Sequence, residues 1–594
     1  MRDANAGRFD PRAASLLLAG GMCLIPFLQP RHFPPLRTFY DEWLAFALGL
    51  AAMGLTAVAR RNTAARIPAL SVWLGLFALT LVVRAFGGHA AYPQSPLLWA
   101  LYALFAALLV ILGHGLATQL GQERVCDTLA AFLLAGAAAN SIAGVLQVTG
   151  IPPLIDSFVS YLHGPRAIGN VGQANLYANY LALGEASLVY LFARGKIGRM
   201  AAIAAGLLLL AGAALAASRS SFLYLGYFAL LGWVALRRNE GAPARRLCNA
   251  SIVLAVSGLL LQWLVPAGLN ALGVTIDSGF HRSAPAEGAF AQDTYSGQRL
   301  LAWELAWQLF AAAPWIGVGP GEFSGAGFVH GLPVEMAGGE IWSSPHNLLL
   351  QLLAETGLAG AVPVVAGVLI WARRSAGDFL RAPNPAIWWV AACTGVGIMH
   401  ALLEYPLWYA HFLAVTALVM GVGASSGLQM RPRAVRTLLA ASAVAGTAAL
   451  AVTLKDYVRF DLASPVFAGR SLAPDAEVLA DRATLRELRH GLLAPHVEPW
   501  LFLALPLDGD GLAEKIAIGE RVLRVWPSSQ IVSRQCVYLA LAGRDKEALA
   551  LLAQGLKASA AQRAKIARII ADAPLAARSV LQPALGSGPQ PAPG

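Results

Sequence analysis

Long apolar runs recur along the first three-quarters of this chain, and they constrain its fold more than any other feature. A helix needs about 20 apolar residues to cross about 30 Å of hydrocarbon, and we count about thirteen runs near that length before Lys455. Hydrophobic residues make up 57% of the 594 residues and charged residues 13%, so too little polar surface remains to cover a soluble core. The sequence therefore predicts an all-α polytopic membrane protein with about thirteen transmembrane helices.

Charge and cysteine content argue against two other classes of protein. The net charge of +11 could suggest a nucleic-acid-binding protein, but the basic residues are scattered over short loops and form no stripe with aromatic residues. The five cysteines show no CxxC spacing, and most lie at or within apolar runs. We therefore predict no zinc site, no disulfide framework, no cofactor and no nucleic-acid partner.

Basic residues are concentrated in every second loop between the apolar runs. Counted from the N-terminus, this crowded set holds about 20 Arg and Lys residues, whereas the short loops of the other set hold about five. The positive-inside rule places the crowded set in the cytoplasm. After about thirteen crossings, the long loop at about residues 267–345 and the tail beyond residue 455 then lie outside. A basic triplet at 431–436 marks a cytoplasmic end just before the last run.

The chain after the transmembrane domain of residues 1–455 has a different composition. Residues 456–585 carry many charges, with apolar residues at helical spacing, and the segment beginning at Ala540 resembles one tetratricopeptide hairpin. No array of repeats is evident, so we predict an irregular, soluble α-helical domain. Residues 586–594 are rich in Gly and Pro and are predicted to be disordered. The Asp508-Gly-Asp-Gly motif is interpreted as a turn before a helix.

Polar residues gather where an outer loop enters the sixth apolar run. Arg166, Asn170, Gln173 and Asn175 all lie within residues 163–175. Each residue alone also fits hydrogen bonding at the membrane interface. Polar groups at membrane depth are costly and usually face a cavity, so their density here favours a site.

Two further arginines are candidates for binding an anion. Arg219 lies between two apolar runs with almost no loop, so we expect it to be buried, where its guanidinium needs a distant carboxylate or an anionic ligand. Arg299 lies in residues 295–307, whose pattern predicts an amphipathic interfacial helix with Trp303 one turn later. An ordinary headgroup contact is the alternative for Arg299.

A histidine is predicted at the start of a spanning helix. Ser344 can cap this helix, Pro345 suits its first position, and His346 then falls in the first turn, where free amides and the helix dipole disfavour the imidazolium. A neutral histidine is what a general base requires. The alternative is a capping or interfacial residue.

The short outer turn at 399–409 carries a carboxylate and several aromatic residues. Glu404 is expected to pair with an arginine, while Tyr405 and Tyr409 fit either a site or an aromatic belt at the membrane surface. Arginines and a histidine without plausible metal ligands point to capture of a lipid diphosphate and group transfer that needs no metal.

These segments resemble the O-antigen ligase and polymerase superfamily. The motifs that carry the resemblance are Ser218-Arg-Ser, Arg299 with Trp303, Pro314-Trp-Ile-Gly-Val-Gly, Pro345-His-Asn and Glu355-Thr-Gly. Each motif is short, but their order and topology make them specific.

Within that superfamily, the chain resembles the bacterial O-linked oligosaccharyltransferases of the PglL type over about residues 20–425. The motifs are Pro26-Phe-Leu-Gln-Pro-Arg-His, Phe39-Tyr-Asp-Glu, Gly164-Pro-Arg, Gly172-Gln-Ala-Asn and Glu404-Tyr-Pro-Leu. The resemblance implies an enzyme of the bacterial inner membrane, with its active site facing the periplasm. Such an enzyme moves a glycan from undecaprenyl diphosphate to Ser or Thr of periplasmic or pilin proteins. Gln173-Ala-Asn stands where Gln-Pro-Asn is expected.

The resemblance also implies roles for individual residues. Arg219 and Arg299 match arginines that hold the diphosphate, with Arg166 as a third candidate, and His346 matches the histidine that takes the acceptor proton. Residues expected to bind substrate or support the site are Gln173, Asn175, Asn347, Glu404 and Tyr405 or Tyr409. Direct displacement at the sugar would invert its anomeric centre.

Three enzymes could share this site: a protein transferase, a ligase acting on the lipid A core, and a chain polymerase. The motifs at 163–175 and 404–407 and the large tail favour a protein acceptor. A transporter of lipid-linked sugars is a more distant alternative, which predicts related halves or paired broken helices. The sequence shows no such pairing.

Overall fold

The computed structural model describes ten stretches of the chain, and nearly all of its regular structure is helical. These stretches are residues 10–59, 65–88, 90–150, 152, 155–162, 164–280, 292–330, 342–464, 475–558 and 562–586. In them, two four-residue strands accompany twenty-two α-helices. The all-α prediction is confirmed.

The N-terminal half contains nine helices, most of them long. They are α1 (Pro11–Met22), α2 (Phe39–Val58), α3 (Ala69–Phe86), α4 (Gln94–Leu120), α5 (Gln122–Thr149), α6 (Ala174–Ala193), α7 (Arg199–Leu215), α8 (Ser220–Arg238) and α9 (Ala242–Ala271). The next six are α10 (Gln292–Ala312), α11 (Phe323–Val329), α12 (Leu348–Arg381), α13 (Pro385–Ala401), α14 (Ala410–Val422) and α15 (Pro432–Ala463). The strands are β1 (Ala65–Pro68) and β2 (Gly427–Met430).

The described part of the tail contains seven shorter helices. They are α16 (Asp475–Leu488), α17 (Ala494–Ala504), α18 (Leu512–Leu523), α19 (Ser529–Leu541), α20 (Asp545–Ala558), α21 (Arg563–Ala571) and α22 (Leu575–Leu581). The Asp508 carboxylate accepts a hydrogen bond from the Asp510 amide at 3.0 Å and from Lys515 at 2.6 Å, so this motif is a turn, as predicted. The Gly/Pro-rich end predicted to be disordered lies outside the described residues from position 587 onward.

Nine helices in the described part of the chain are long and apolar enough to cross a membrane. They are α1 with the turn after it, α2, α3, α4, α5, α8, α9, α12 and α15. Helices α7, α13 and α14 are apolar but shorter, and α6 has 20 residues with Asn179 and Glu185 buried. The multi-spanning membrane architecture is confirmed, while the count of about thirteen spans stays a prediction.

The chain divides into two compact units, each built from three separated stretches. Unit 1 comprises Met1–Leu76, Tyr102–Ser283 and Pro363–Ala451, and unit 2 comprises Phe77–Leu101, Ala284–Val362 and Val452–Gly594. The predicted boundary after residue 455 falls inside α15, which continues to Ala463. Lys455 ends the apolar run, but lysine is a good helix former, so the helix does not stop there.

Unit 1 contains an extended apolar core with very close helix contacts. A Cβ atom on Gly113 would lie 2.3 Å from the Leu418 carbonyl oxygen, and one on Gly421 would lie 2.3 Å from the Val110 carbonyl oxygen. Helices α4 and α14 therefore touch backbone to backbone. Small residues at helix contacts let membrane helices pack closely. Such van der Waals packing matters because the hydrophobic effect does not drive helices together within lipid.

Loops of unit 1 that were assigned to the cytoplasm contact one another. Strand β1 pairs antiparallel with β2, with Ala65 opposite Met430. Asp127 at the start of α5 contacts Arg194 and Lys196 after α6. Both contacts join segments that were predicted to lie on the cytoplasmic side. Unit 1 is therefore consistent with the alternation of basic and less basic loops along the sequence.

In unit 2, helix α12 is interrupted, and a loop segment fills the interruption. Gly357 has φ 59° and ψ −162°, which is not helical. The Leu358 amide donates to the Pro314 carbonyl at 2.8 Å, and the Val318 amide donates to the Ala354 carbonyl at 2.9 Å. The sequence analysis treated α12 as a continuous helix and missed this break.

The predicted long outer loop, residues 267–345, has helices of its own. The helix predicted at 295–307 is confirmed, because these residues lie within α10, while its amphipathic, interfacial character stays a prediction. Helix α9 extends into the predicted loop as far as Ala271, and α11 follows α10. Residues 281–291 and 331–341 lie outside the described part of the chain.

Candidate functional site

In unit 1, Asn175 connects two other predicted site residues, Arg166 and Glu404, and also contacts Ser218. Its side-chain oxygen accepts a hydrogen bond from the Arg166 guanidinium at 2.8 Å and from the Ser218 hydroxyl at 3.1 Å. Its side-chain amide donates to the Glu404 carboxylate at 2.9 Å. Glu404 is buried. The expected pairing of Glu404 with an arginine thus runs through Asn175, which bridges the carboxylate to Arg166.

Arg166 attaches the loop before α6 to the turn between α7 and α8. Its Nε–H group donates to the Ala216 carbonyl at 2.9 Å. The neighbouring Ala167 amide donates to the Leu215 carbonyl at 2.9 Å, and the Asp277 amide donates to the Pro165 carbonyl at 3.0 Å. These contacts favour a positioning role for Arg166 over direct contact with a diphosphate.

Arg219 is presented outward by that same turn. Ala217 has φ 47°, an uncommon conformation for a residue other than glycine. The chain therefore reverses within a few residues, and the Arg219 side chain at the start of α8 is exposed. The expectation that Arg219 is buried was wrong, because this left-handed turn makes room for its side chain outside the helix packing. An exposed guanidinium at the start of a helix can contact an anionic ligand.

Gln173 caps α6, and the loop before it is held by buried amides. The Gln173 side-chain oxygen accepts from the Leu176 amide at 3.1 Å. In α5, the Gln147 side chain donates to the carbonyls of Ser160 and Gly169 at 2.7 and 2.9 Å. The sequence analysis missed Gln147, because a single amide in an apolar helix forms no motif. The free-energy cost of placing a polar side chain in a membrane helix was the signal that could have identified it.

Tyr405 and Tyr409 lie on either side of the turn Pro406–Trp408, with ring centroids 6.0 Å apart. Glu42, which had no predicted role, accepts a hydrogen bond from the Ala410 amide at 3.1 Å. Burial, and then the nearby Tyr405, Glu42 and Glu404, raise the pKa of Tyr409. The Tyr409 phenol therefore stays protonated at neutral pH and can act as a hydrogen-bond donor.

In unit 2, His346 lies immediately before α12. The side chain of Asn347 accepts from the Leu350 amide at 3.1 Å and so caps the helix, while the His346 amide donates to the Ser344 hydroxyl at 3.0 Å. The prediction that His346 lies in the first helical turn, with Ser344 as the cap, was therefore wrong. His346 has φ 51°. A left-handed residue of this kind costs on the order of 1 kcal/mol and is frequent at functional sites.

Helix α10 holds the segment that contains His346. The Trp303 indole donates to the Pro345 carbonyl at 2.8 Å, and the Trp342 ring meets the His346 ring edge-on at 5.2 Å between centroids. Arg299 is half-buried and lies one helical turn before Trp303. Residues four apart share one face of a helix, so Arg299 lies on the α10 face that contacts the histidine segment.

The structure therefore groups the predicted residues into two sets. Unit 1 contains Arg166, Gln173, Asn175, Arg219, Glu404, Tyr405 and Tyr409, and unit 2 contains Arg299, His346 and Asn347. Among the described residues, no group of three or more His, Cys, Asp or Glu side chains could hold a metal ion.

Two family models match parts of the chain that contain residues of both sets. A family model described as O-antigen ligase matches residues 204–365, which include Arg219, Arg299 and His346. A second, described as the C-terminal part of a virulence factor membrane-bound polymerase, matches residues 388–572. The chain is therefore similar to O-antigen ligases and to membrane-bound polymerases over these two ranges. Transfer of lipid-linked glycans is the general activity that this similarity supports.

Similarity to a curated relative agrees with this assignment. The chain is 25% identical over 454 residues to a general O-oligosaccharyltransferase of Acinetobacter baylyi (strain ATCC 33305 / BD413 / ADP1). The aligned region covers 74% of this chain and 75% of the relative. The resemblance to PglL-type members of the superfamily is confirmed, and it supports a glycosyltransferase-type membrane enzyme.

Proposed function

We propose that this protein transfers an oligosaccharide from undecaprenyl diphosphate to Ser or Thr hydroxyls of periplasmic proteins, pilins among them. The observation that carries the proposal is the histidine segment of unit 2, where Trp303 holds Pro345 next to His346 and lies one turn from Arg299. The relative named as an O-oligosaccharyltransferase, similar over three-quarters of its length, supports a protein acceptor.

His346 is the proposed general base of a single displacement. The imidazole takes the proton of the acceptor hydroxyl, whose oxygen attacks the anomeric carbon of the first sugar. The bond from that carbon to the diphosphate oxygen breaks, its electron pair leaves with undecaprenyl diphosphate, and the anomeric configuration inverts. A serine hydroxyl is a weak nucleophile until a base accepts its proton, so this step needs a group such as His346.

Arg219 and Arg299 are the proposed ligands of the diphosphate. Fixed guanidinium groups stabilise the negative charge that develops on the leaving diphosphate, so the proposal needs no metal ion. Arg166, bridged by Asn175 to Glu404, holds the turn that presents Arg219. In this scheme Tyr409 donates a hydrogen bond to the glycan or to its diphosphate.

The remaining predicted residues are assigned to supporting roles. Gln173 and Asn347 cap α6 and α12, so each fixes the start of a helix next to a proposed ligand or base. Tyr405 packs beside Tyr409 and orients it.

Ligation to the lipid A core and chain polymerisation are the second candidates, because the two matching family models are described as a ligase and a polymerase. Both reactions would use the same donor, the same base and the same arginines. The acceptor alone distinguishes the three activities.

An acceptor competition assay tests the proposed function. Purified protein in lipid nanodiscs would receive an undecaprenyl-diphosphate-linked oligosaccharide in EDTA, with a Ser-bearing pilin, a lipid A core or a second donor molecule as acceptor. We expect transfer to the pilin, an inverted linkage by NMR, and an unchanged rate in EDTA. Transfer to lipid A or to donor alone would identify a ligase or a polymerase, and loss of activity in EDTA would contradict the metal-free mechanism.

The loop charges support a location in the bacterial inner membrane, with the site and the tail facing the periplasm. A reporter that is active only in the periplasm should work when fused after Gly594 and should be silent when fused after Arg381. A silent Gly594 fusion would reverse the orientation of the tail and remove the argument that the tail can reach a periplasmic acceptor.

A further inference from the structure

The C-terminal domain contacts an outer loop of unit 2 through a buried carboxylate. The Glu322 carboxylate is 8% exposed and accepts hydrogen bonds from Nη2 and Nε of Arg524, at the end of α18, at 2.5 and 2.9 Å. Its other oxygen accepts from the Ala91 amide at 2.9 Å. A carboxylate that is withdrawn from water needs such partners, so the loop at Glu322 depends on the tail for one side of its environment.

A second buried carboxylate repeats this arrangement. Glu498 of α17 accepts from the Tyr92 hydroxyl at 2.7 Å and from two nitrogens of Arg521 at 2.6 and 3.0 Å. Burial, followed by the adjacent Glu498 charge, raises the pKa of Tyr92, so its hydroxyl remains a donor. The outer loop between α3 and α4 is thereby bonded to the tail.

Close backbone packing accompanies the ionic contacts. A Cβ atom on Gly325 would lie 2.1 Å from the Arg524 carbonyl oxygen, so α11 and the end of α18 touch without a side chain between them. The Gln554 side chain donates to the Phe328 carbonyl at 2.8 Å. The tail therefore packs directly against α11, in addition to being joined covalently through the polypeptide chain.

The loop held by Arg524 is bonded in turn to α12. The amides of Gly321 and Phe323, on either side of Glu322, both donate to one oxygen of Glu355 at 3.0 Å. Glu355 is fully buried in α12, two helical turns after Asn347, which caps that helix beside His346. Hydrogen bonds on both sides of the loop at Glu322 thus link the tail to α12, the helix that follows the proposed base.

We propose that the C-terminal domain is a clamp required for catalysis, in which Arg524, through Glu322 and the amides bonded to Glu355, positions the start of α12 and therefore His346. Arg524, Glu322 and Glu355 are positioning residues that do not contact substrate. The inference rests on the proposed role of His346. It gives the tail a function inside the enzyme, whereas the sequence analysis used the size of the tail only as an argument for a protein acceptor.

The test compares Arg524→Met with Arg544→Met in the full-length protein. Arg544 lies in the same domain and pairs with Glu547, so it is a matched control within the tail. Both variants would be assayed with a pilin and with a short Ser-bearing peptide too small to reach the tail. We expect Arg524→Met to lower kcat at least about tenfold with both acceptors, at unchanged KM for the acceptor, because small misplacement of a catalytic group is costly. Arg544→Met should behave like the parent protein.

A double-variant cycle and a conservative variant sharpen the result. Glu322→Gln should lower kcat similarly, and the double variant should be no worse than either single variant, since both changes break one interaction. Arg524→Lys, which keeps one charged donor, should recover part of the rate. A rise in KM for the pilin alone, with kcat unchanged, would show that the tail docks the acceptor and would overturn the clamp.

Backbone hydrogen exchange separates failure of the clamp from failure of the proposed function, because it needs no substrate. In Arg524→Met we expect faster exchange at the amides of Gly321, Phe323 and Leu350, and no change there in Arg544→Met. If exchange is faster in Arg524→Met but the parent protein has no transferase activity, the positioning of α12 by the tail is supported and the proposed function is refuted. Unchanged exchange together with unchanged kcat would overturn the clamp whatever the reaction.

Discussion

The two sets of candidate residues are held in place by different kinds of contact. Around Asn175 in unit 1, side chains bond to one another, with Asn175 joining Arg166, Ser218 and Glu404. Around His346 and the break in α12 in unit 2, side chains bond to the backbone: Trp303 to the Pro345 carbonyl, and Glu355 to two amides. The first arrangement depends on the chemistry of individual side chains, and the second depends on the path of the main chain.

This difference predicts different sensitivities to mutation. A side-chain bridge is altered by any change of donor or acceptor, even an isosteric one, because a buried polar group left without its partner costs about 1–3 kcal/mol. A site that is built on backbone contacts should tolerate many side-chain changes but not a change at a glycine that sets the path of the chain. Four variants test this contrast. The first removes the proposed base, because neither kind of contact can take over its role as proton acceptor.

His346→Ala is expected to have the largest effect. Loss of a general base typically reduces the rate by about 10²–10⁴-fold. The Asn347 side chain, which caps α12, is retained in this variant. The variant should therefore accumulate in the membrane and melt like the parent protein while glycan transfer to a pilin is lost. Near-normal glycosylation in cells would refute the assignment of the base.

Gly357→Ala tests the backbone arrangement of unit 2. Gly357 has φ +59°, and a Cβ atom there would lie 2.5 Å from the Trp315 carbonyl carbon. Strain of this kind costs on the order of 1–3 kcal/mol before the clash is added, so transfer activity and thermal stability should fall together. Gly75→Ala in α3, where nothing lies within 4 Å, is the control. A Gly357→Ala protein with parental activity would show that the break in α12 does not position His346.

Arg219→Lys tests whether the exposed guanidinium binds a diphosphate. Lysine keeps the charge but cannot make a bidentate phosphate contact, so we expect kcat/KM to fall about tenfold to a hundredfold. The matched change is Arg238→Lys at the opposite end of α8, which should leave activity unchanged. Equal rates for both lysine variants would point to a headgroup contact for Arg219.

Asn175→Asp should have the smallest effect of the four. The new carboxylate can still accept from Arg166 and Ser218, but it cannot donate to Glu404 and places a second negative charge beside it. We expect a loss of about tenfold in kcat/KM, from a displaced turn and not from a missing ligand. Simultaneous Glu404→Gln should restore part of the activity, because the glutamine amide can donate to the aspartate. No recovery in the double variant would argue against a bridge between these residues.

The sequence predicted the membrane architecture because hydropathy and loop charge report directly on the cost of burying polar groups in lipid. Local backbone conformation was harder to predict. Nothing in the pattern around Ser344 indicated that Asn347 caps α12 and that His346 adopts a positive φ, since serine, asparagine and a following proline all satisfy capping preferences. Ala217 likewise gave no sign of its left-handed turn.

Contacts between distant segments could not be read from the sequence at all. The motifs at 314–319 and 355–357 were both recognised, but their separate positions along the chain do not show that one fills a break in the other. Gln147 and Arg524 carry no motif. Each acts through a partner that is distant in sequence or lies in a loop, and such pairing depends on packing that propensities do not encode.

The small ribbon formed by β1 and β2 bears on how the protein is made. Ala65 emerges early during synthesis, yet its partner Met430 follows only after α14 has been translated. Contacts between residues so far apart in sequence form late, because the entropy of closing the intervening loop must first be overcome. Since each unit is assembled from three interleaved stretches, insertion of helices one by one cannot complete either unit. Nascent chains that stall before β2 should therefore remain open and be recognised by membrane quality-control proteases.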